Sequence, residues 1–194
     1  MAAEVTLRRF DLSDVDAMMA WASDPEVAAF CRWEPGYVVR RYQYQYWCRG
    51  EHPVLVYFSP PRDALLAFLR GTDPPHTWIR AVCLGCAIVG AVTVSRTEDR
   101  CRAEVGTALA RAHRGRGTAA AALRLAATTA LGDLEGVERV EALVDADDAA
   151  SRRAVEDAGF RREAVLRSHR DARDVVVYSL ISTDDDPLID LPSS

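Results

Sequence analysis

The chain has 194 residues, 49% of them hydrophobic and 27% charged, with a net charge of −5. This is enough for one domain with a sizeable core, and the negative balance excludes a protein that holds nucleic acid by bulk electrostatics. No stretch approaches the ~20 apolar residues of a membrane span, and MAAEVTLRRF at the N-terminus lacks the apolar run of a signal peptide. Five scattered cysteines fit a reducing compartment better than a disulfide framework, so a cytoplasmic protein is expected.

Residues 5–9 alternate like a first strand. Residues 11–16 then offer helix caps, and Val15, Met18, Met19 and Trp21 share a broad apolar face, so a helix follows and ends at Asp24-Pro25. Residues 26–30 add another turn or two. In 36–58, Tyr42, Tyr44 and Tyr46 alternate with Gln43 and Gln45. With no glycine-paired turn and no partner strand evident, this reads as an inserted hairpin or irregular loop rather than a base-stacking surface. A short helix is expected over 64–70, bounded by Pro60-Pro61 and Gly71.

The texture then changes to strands. Residues 77–84, 87–95 and 102–110 are apolar β-rich runs with short separations, the pattern of an antiparallel meander. A helix over 118–131, a buried strand over 140–144, a helix over 149–158 closed by Gly159 and a last strand over 175–181 complete the order. The arginine-rich run 161–173 reads as a solvated hairpin. The layout is α+β with one central sheet, as a single domain over 1–182 and an acidic, disordered tail over 183–194. Cys83-x-x-Cys86 brackets a hairpin turn and has no second pair at ligand spacing, so both read as ordinary thiols and no metal is expected.

The chemistry concentrates in RAHRGRGTAAAALRL, residues 111–125. Arg114, Gly115, Arg116 and Gly117 form a basic, glycine-punctuated turn that runs into an alanine-rich helix. Glycine lets the backbone approach a ligand closely, and the helix start adds unsatisfied N–H groups and the positive end of its dipole. Together they make a socket for phosphate or pyrophosphate. The turn lacks the Gly-Lys-Ser/Thr ending of a P-loop and the βαβ setting of a dinucleotide fold.

Arg114-x-x-Gly117-x-Ala119 follows a strand containing Glu104-Val-Gly, and a later strand leads to Asp147-Asp148-Ala-Ala-Ser151 and Gly159-Phe160. This set resembles the GNAT N-acetyltransferase superfamily, over roughly residues 5–35 and 60–182. LRRFDLSDVDAMMAWASDPEV and the AEVG strand look most like its branch of ribosomal-protein N-terminal acetyltransferases. The resemblance implies a central mixed, mostly antiparallel sheet of about six to seven strands flanked by helices, with acetyl-CoA as co-substrate. It also implies a direct transfer to a primary amine, either a protein N-terminus or a small amine such as a polyamine, in a monomer or homodimer. Main-chain N–H groups of Arg114, Gly115, Arg116, Gly117, Thr118 and Ala119 would hold the pyrophosphate. Leu109 would pair with the pantetheine arm like an added strand.

The amine must be neutral to attack. With a pKa of ~7.7 about one α-amine in six is neutral at pH 7, against about one in 2,500 for lysine at ~10.4, so an N-terminal acceptor asks less of a base. Glu104 is the candidate base, or the carboxylate that orients a water acting as one. The competing reading is a surface pair with Arg100 or Arg102. Many superfamily members carry a tyrosine as general acid four residues before the Gly-Phe pair; here that place is Val155. The ribosomal-protein branch has a serine one turn earlier, and Ser151 falls there, with helix capping as its alternative role. Asp148 stands where the family has an asparagine near CoA. Trp33 and Glu34 fall where the branch builds a wall of the acceptor groove, or else anchor a loop. The vacant tyrosine position, Asp148 and the 36–58 insertion leave a second reading, a non-catalytic acyl-CoA-binding or interaction protein on the same fold.

Overall fold

The structure is a computed structural model and describes residues 4–22, 77–170 and 172–183. The expected features at 26–30, 36–58, 64–70 and 184–194, and the two acceptor-wall residues Trp33 and Glu34, lie outside the described residues. Among the described residues no helix is long and apolar enough to cross a membrane.

Seven strands of the described residues form one sheet: β1 (Val5–Arg8), β2 (Thr77–Leu84), β3 (Ala87–Arg96), β4 (Arg102–Leu109), β5 (Arg139–Asp145), β6 (Arg161–Arg170) and β7 (Arg173–Ile181), in spatial order β1-β2-β3-β4-β5-β7-β6. Every neighbouring pair is antiparallel except β4 and β5. The expected meander is present, and Gly85, at φ +58°, turns β2 into β3 between Cys83 and Cys86. Both thiols are free, Cys83 buried and Cys86 exposed.

Among the described residues three helices cover the sheet: α1 (Val15–Ala22), α2 (Thr118–Asp133) and α3 (Ala149–Asp157). The alanines that make α2 a strong helix former also let it lie close to the sheet. Ala120, Ala122, Leu123, Ala126, Ala127 and Ala130 are buried with Val92, Val94, Ala103, Val105, Val140 and Tyr178 in the main core. On the opposite face Val15, Met18 and Trp21 of α1 pack with Ile79 and Ala91. A capping box of Asp11 and Asp14 starts this helix through a turn of 3-10 helix, Leu12–Asp14. Arg8 of β1 holds Asp14 through two bonds of 2.7 and 2.9 Å, and that pairing depresses the Asp14 pKa.

The arginine-rich run expected as a solvated hairpin is the edge strand β6, paired with β7 along most of its length. Over 161–169 its residues are exposed on both faces except for half-buried Leu166, so the alternation that marks other strands is missing.

Candidate active site

The site follows from an interruption in the sheet. β4 and β5 are parallel and pair at only three positions, Arg102–Arg139, Ala103–Val140 and Glu104–Glu141. Beyond Glu104 the strands part, while β4 stays paired with β3 to Leu109 and β5 stays paired with β7 to Asp145. Thr97 N–H bonds the Arg102 carbonyl and Ala110 N–H bonds the Val89 carbonyl, which fixes the alternation along β4. Glu104, Gly106 and Ala108 therefore turn their main-chain groups towards β3, and Thr107 and Leu109 turn theirs into the gap. An unpaired strand edge inside a sheet is ready to receive an extended chain.

At the far end of β4, Leu109 is seated by Gly90 of β3, where a Cβ would meet a Leu109 methyl at 2.6 Å and the Ala108 carbonyl at 2.2 Å. Arg114 then folds back, its Nε donating to the Leu109 carbonyl at 3.2 Å. This modifies the expectation for both residues. The Arg114 side chain pins the turn to the strand, and the carbonyl of Leu109 already has one donor.

The socket itself is formed of main chain. Gly115 and Gly117 take left-handed conformations at φ +69° and +77°. Gly117 is the N-cap of α2, with no side-chain bond capping the helix. Arg114 N–H bonds the Arg111 carbonyl and Ala121 N–H bonds the Gly117 carbonyl. Between them, the N–H groups of 115–120 donate to no carbonyl among the described residues. A Cβ on Gly115 or Gly117 would meet no atom within 4 Å, so the space against them is open. Arg116 is exposed, Thr118 buried and Ala119 half-buried. The dipole of α2 points its positive end at the same place.

Because β4 and β5 are parallel, the helices that follow them start on the same side of the gap. α3 begins differently from α2: the Asp148 carboxylate caps it, accepting from Ser151 N–H at 2.9 Å. The capping role that competed for Ser151 therefore belongs to Asp148, and the Ser151 side chain, half-buried in the first turn, does not supply the cap. Asp148 in turn is committed to the helix, which places its charge at the mouth. Val155, at the vacant tyrosine position, is buried in the main core. Tyr178 is also buried and donates its hydroxyl to Glu156 at 2.9 Å. Burial and this carboxylate raise its pKa, so it is a packed phenol that keeps its proton.

Glu104 stands half-buried where the gap opens, the last β4 residue with a partner on β5. Ala103 and Val105 belong to the main core, so Glu104 faces the other side of the sheet, the side that carries α1. Arg102 has Asp99 at 3.2 Å and Glu141 at 3.6 Å.

Sequence reasoning missed the contributions of Thr107 and Glu141. Only the register of β4 against its neighbours puts Thr107 at the gap and Glu141 opposite Glu104, and no local pattern carries that information. Among the described residues no group of three or more His, Cys, Asp or Glu side chains is arranged to hold a metal ion.

No curated protein matches the sequence. Solved structures do. A putative acetyltransferase from T. thermophilus is 29% identical, with a TM-score of 0.63, over 93% of this chain and 87% of that one. Mycobacterium smegmatis RimJ, solved with CoA-disulfide, aligns at 20% identity and a TM-score of 0.65 over 98% and 85% of the two chains. RimL, a ribosomal L7/L12 α-N-protein acetyltransferase solved with coenzyme A, aligns at 18% and 0.61 over 93% and 95%. The sequence also matches the acetyltransferase (GNAT) domain family across residues 4–161. With that match spanning most of its length, the chain belongs to the GNAT acetyltransferase family.

Proposed function

We propose that the protein is an acetyl-CoA-dependent N-acetyltransferase that moves an acetyl group directly to a primary amine, a protein N-terminus or a small amine. The observation that carries this reading is the run of N–H groups at 115–120 that have no carbonyl partner among the described residues, set at the mouth of the β4–β5 gap. The two features fit the two parts of the donor. Amides at a positive helix end suit a pyrophosphate, and the free edge at Thr107 and Leu109 suits an extended amide-containing arm. Bound there, acetyl-CoA supplies the activated acyl thioester.

The chain's own residues have three tasks. Amides of Gly115, Arg116, Gly117, Thr118 and Ala119, with Arg114 bracing the turn, hold the donor without a side-chain charge that must be ordered. Glu104 accepts the proton of the acceptor ammonium, directly or through a water, as a carboxylate at the point where the strands part. Ser151 donates its hydroxyl to the departing sulfur. RimL carries the name of a ribosomal L7/L12 α-N-protein acetyltransferase, and an α-amine is the acceptor that asks least of Glu104. We therefore place a protein N-terminus first and a small amine or polyamine second, in a cytoplasmic setting.

The test is incubation with acetyl-CoA and a panel of peptides and amines while thiol release is followed. Turnover with at least one acceptor, lost in Glu104→Gln, is the expected result. Tight CoA binding without turnover across the panel would instead favour a non-catalytic acyl-CoA-binding protein. The specific observation on that side is Val155, buried where many superfamily members place their acid.

A further inference from the structure

On the face that carries Glu104, β4 and β5 present a square of charges. Arg102 lies opposite Arg139, and one step along Glu104 lies opposite Glu141. Residues directly opposite in a sheet project to the same side at close range, and two carboxylates so placed repel unless a cation intervenes. Both cations reach Glu141. Arg139 Nε reaches Glu141 Oε1 at 2.6 Å, and Arg102 Nη1 reaches the same oxygen at 3.6 Å. The Glu141 side chain is only 13% exposed, so its charge is poorly screened by solvent.

Arg139 is itself fixed from the other side. Its Nη1 and Nη2 take both oxygens of Glu163 on β6, at 2.8 and 2.6 Å, and Ser179 of β7 donates to the same carboxylate. A planar guanidinium with one edge on Glu163 and its Nε on Glu141 has little freedom to turn. The arrangement links three strands of the C-terminal half of the sheet to the carboxylate that faces Glu104.

We propose that Arg139 is a positioning residue for Glu104: it holds Glu141 in place and charge-compensated across from Glu104 where the gap opens. The inference rests on the reading of Glu104 as the base. The strand register sets around Glu104, among the described residues, Ser95 from β3, Arg102 from its own strand, and Glu141 and Arg139 from β5, with Glu163 and Asp99 behind the two arginines, beside whatever else Glu104 itself bonds. Removing Arg139 leaves that cluster one cation short and lets the charge of Glu141 act on Glu104.

The direct test is a carboxyl titration of the full chain labelled with 13C-glutamate, with the Glu104 signal assigned by its loss in Glu104→Gln. Arg139→Gln is expected to move the Glu104 midpoint upward by about half to one pH unit, from an uncompensated like charge. Glu141→Gln is expected to move it downward, and the double variant Arg139→Gln/Glu141→Gln to return it close to the wild-type value. The acid limb of kcat should move in the same directions. A purely architectural role for Arg139 lowers the melting temperature and leaves every midpoint in place; that result overturns the proposal. If Arg139→Gln does not fold, Glu141→Gln alone decides, and an unmoved midpoint there is equally contrary. Failure of the acetyltransferase reading appears separately, as absence of turnover in a wild-type protein whose Glu104 still responds to both substitutions.

Discussion

Two helices begin at the mouth of the same gap, and they begin in opposite ways. α3 is capped by the Asp148 carboxylate on Ser151 N–H. α2 has Gly117 at its N-cap, in a left-handed conformation and with no side-chain bond. A helix with its own carboxylate in place has already satisfied part of its N-terminal demand and repels an anion. A helix left with only glycine there keeps its amides and its dipole for a ligand. The contrast shows that an uncapped helix start at a sheet opening can itself be the functional feature.

The largest effect should come from making α2 resemble α3. Gly117→Asp puts a carboxylate at the N-cap; no atom lies within 4 Å to clash with its Cβ, and the φ of +77° costs aspartate some strain, less than it costs most residues. Acetyl-CoA affinity is expected to fall on the order of 100-fold in a calorimetric titration, the loss of about two charge-assisted contacts, while the melting temperature falls by only a few degrees from the strained backbone. Retained affinity would remove the main-chain socket from the account.

Next in size is Ser151→Ala, which leaves the Asp148 cap intact because the cap is received by the main-chain N–H. A fall in kcat of about tenfold to a hundredfold with KM nearly constant is expected for loss of a proton donor. An unchanged kcat in steady-state assays would return Ser151 to a merely structural place.

Smaller effects separate the two roles of Asp148. Asp148→Asn keeps a good cap and removes the charge, so CoA should bind about threefold more tightly with stability unchanged, in line with ~0.3–1 kcal/mol for a charge near a helix end. Asp148→Ala removes the cap as well, and denaturant unfolding should report a loss of about 1 kcal/mol.

Acid extends the comparison from the helix starts to the sheet. The α2 socket is made of amides that do not titrate, whereas the C-terminal strands are joined through Glu163, whose pKa Arg139 and Ser179 lower to about 2 from 4.5. A depressed carboxylate stabilises the fold above its unfolded value and loses that contribution as pH falls through the folded one. The melting-temperature difference between wild type and Glu163→Gln should therefore be constant above about pH 5 and shrink as pH falls towards 2. Glu163 is 41% exposed, so the difference should be small and should weaken in salt.

Much of the N-terminal meander and the run of α2 was legible because local rules and burial agree there. Val92 and Val94 of β3 and the buried alanines of α2 show the periods that their burial requires. β6 was not legible as a strand, because an exposed edge has no buried side to impose alternation on RREAVLRSHR. The socket could be read from Gly115 and Gly117, since only glycine tolerates those angles cheaply. The gap could not. It depends on where the β4–β5 register ends, a non-local fact, and so do the clamp of Arg114 on the Leu109 carbonyl and the place of Glu141 opposite Glu104.

The central claim is that the donor is held by main-chain amides at the start of α2 and along the free edge of β4. Titration of acetyl-CoA into 15N-labelled protein, followed through its amide resonances, tests it most directly. The account predicts that the largest shifts fall on the N–H groups of residues 115–120, Thr107 and Leu109. Saturable binding that leaves those amides unmoved, or no binding at all, would contradict it.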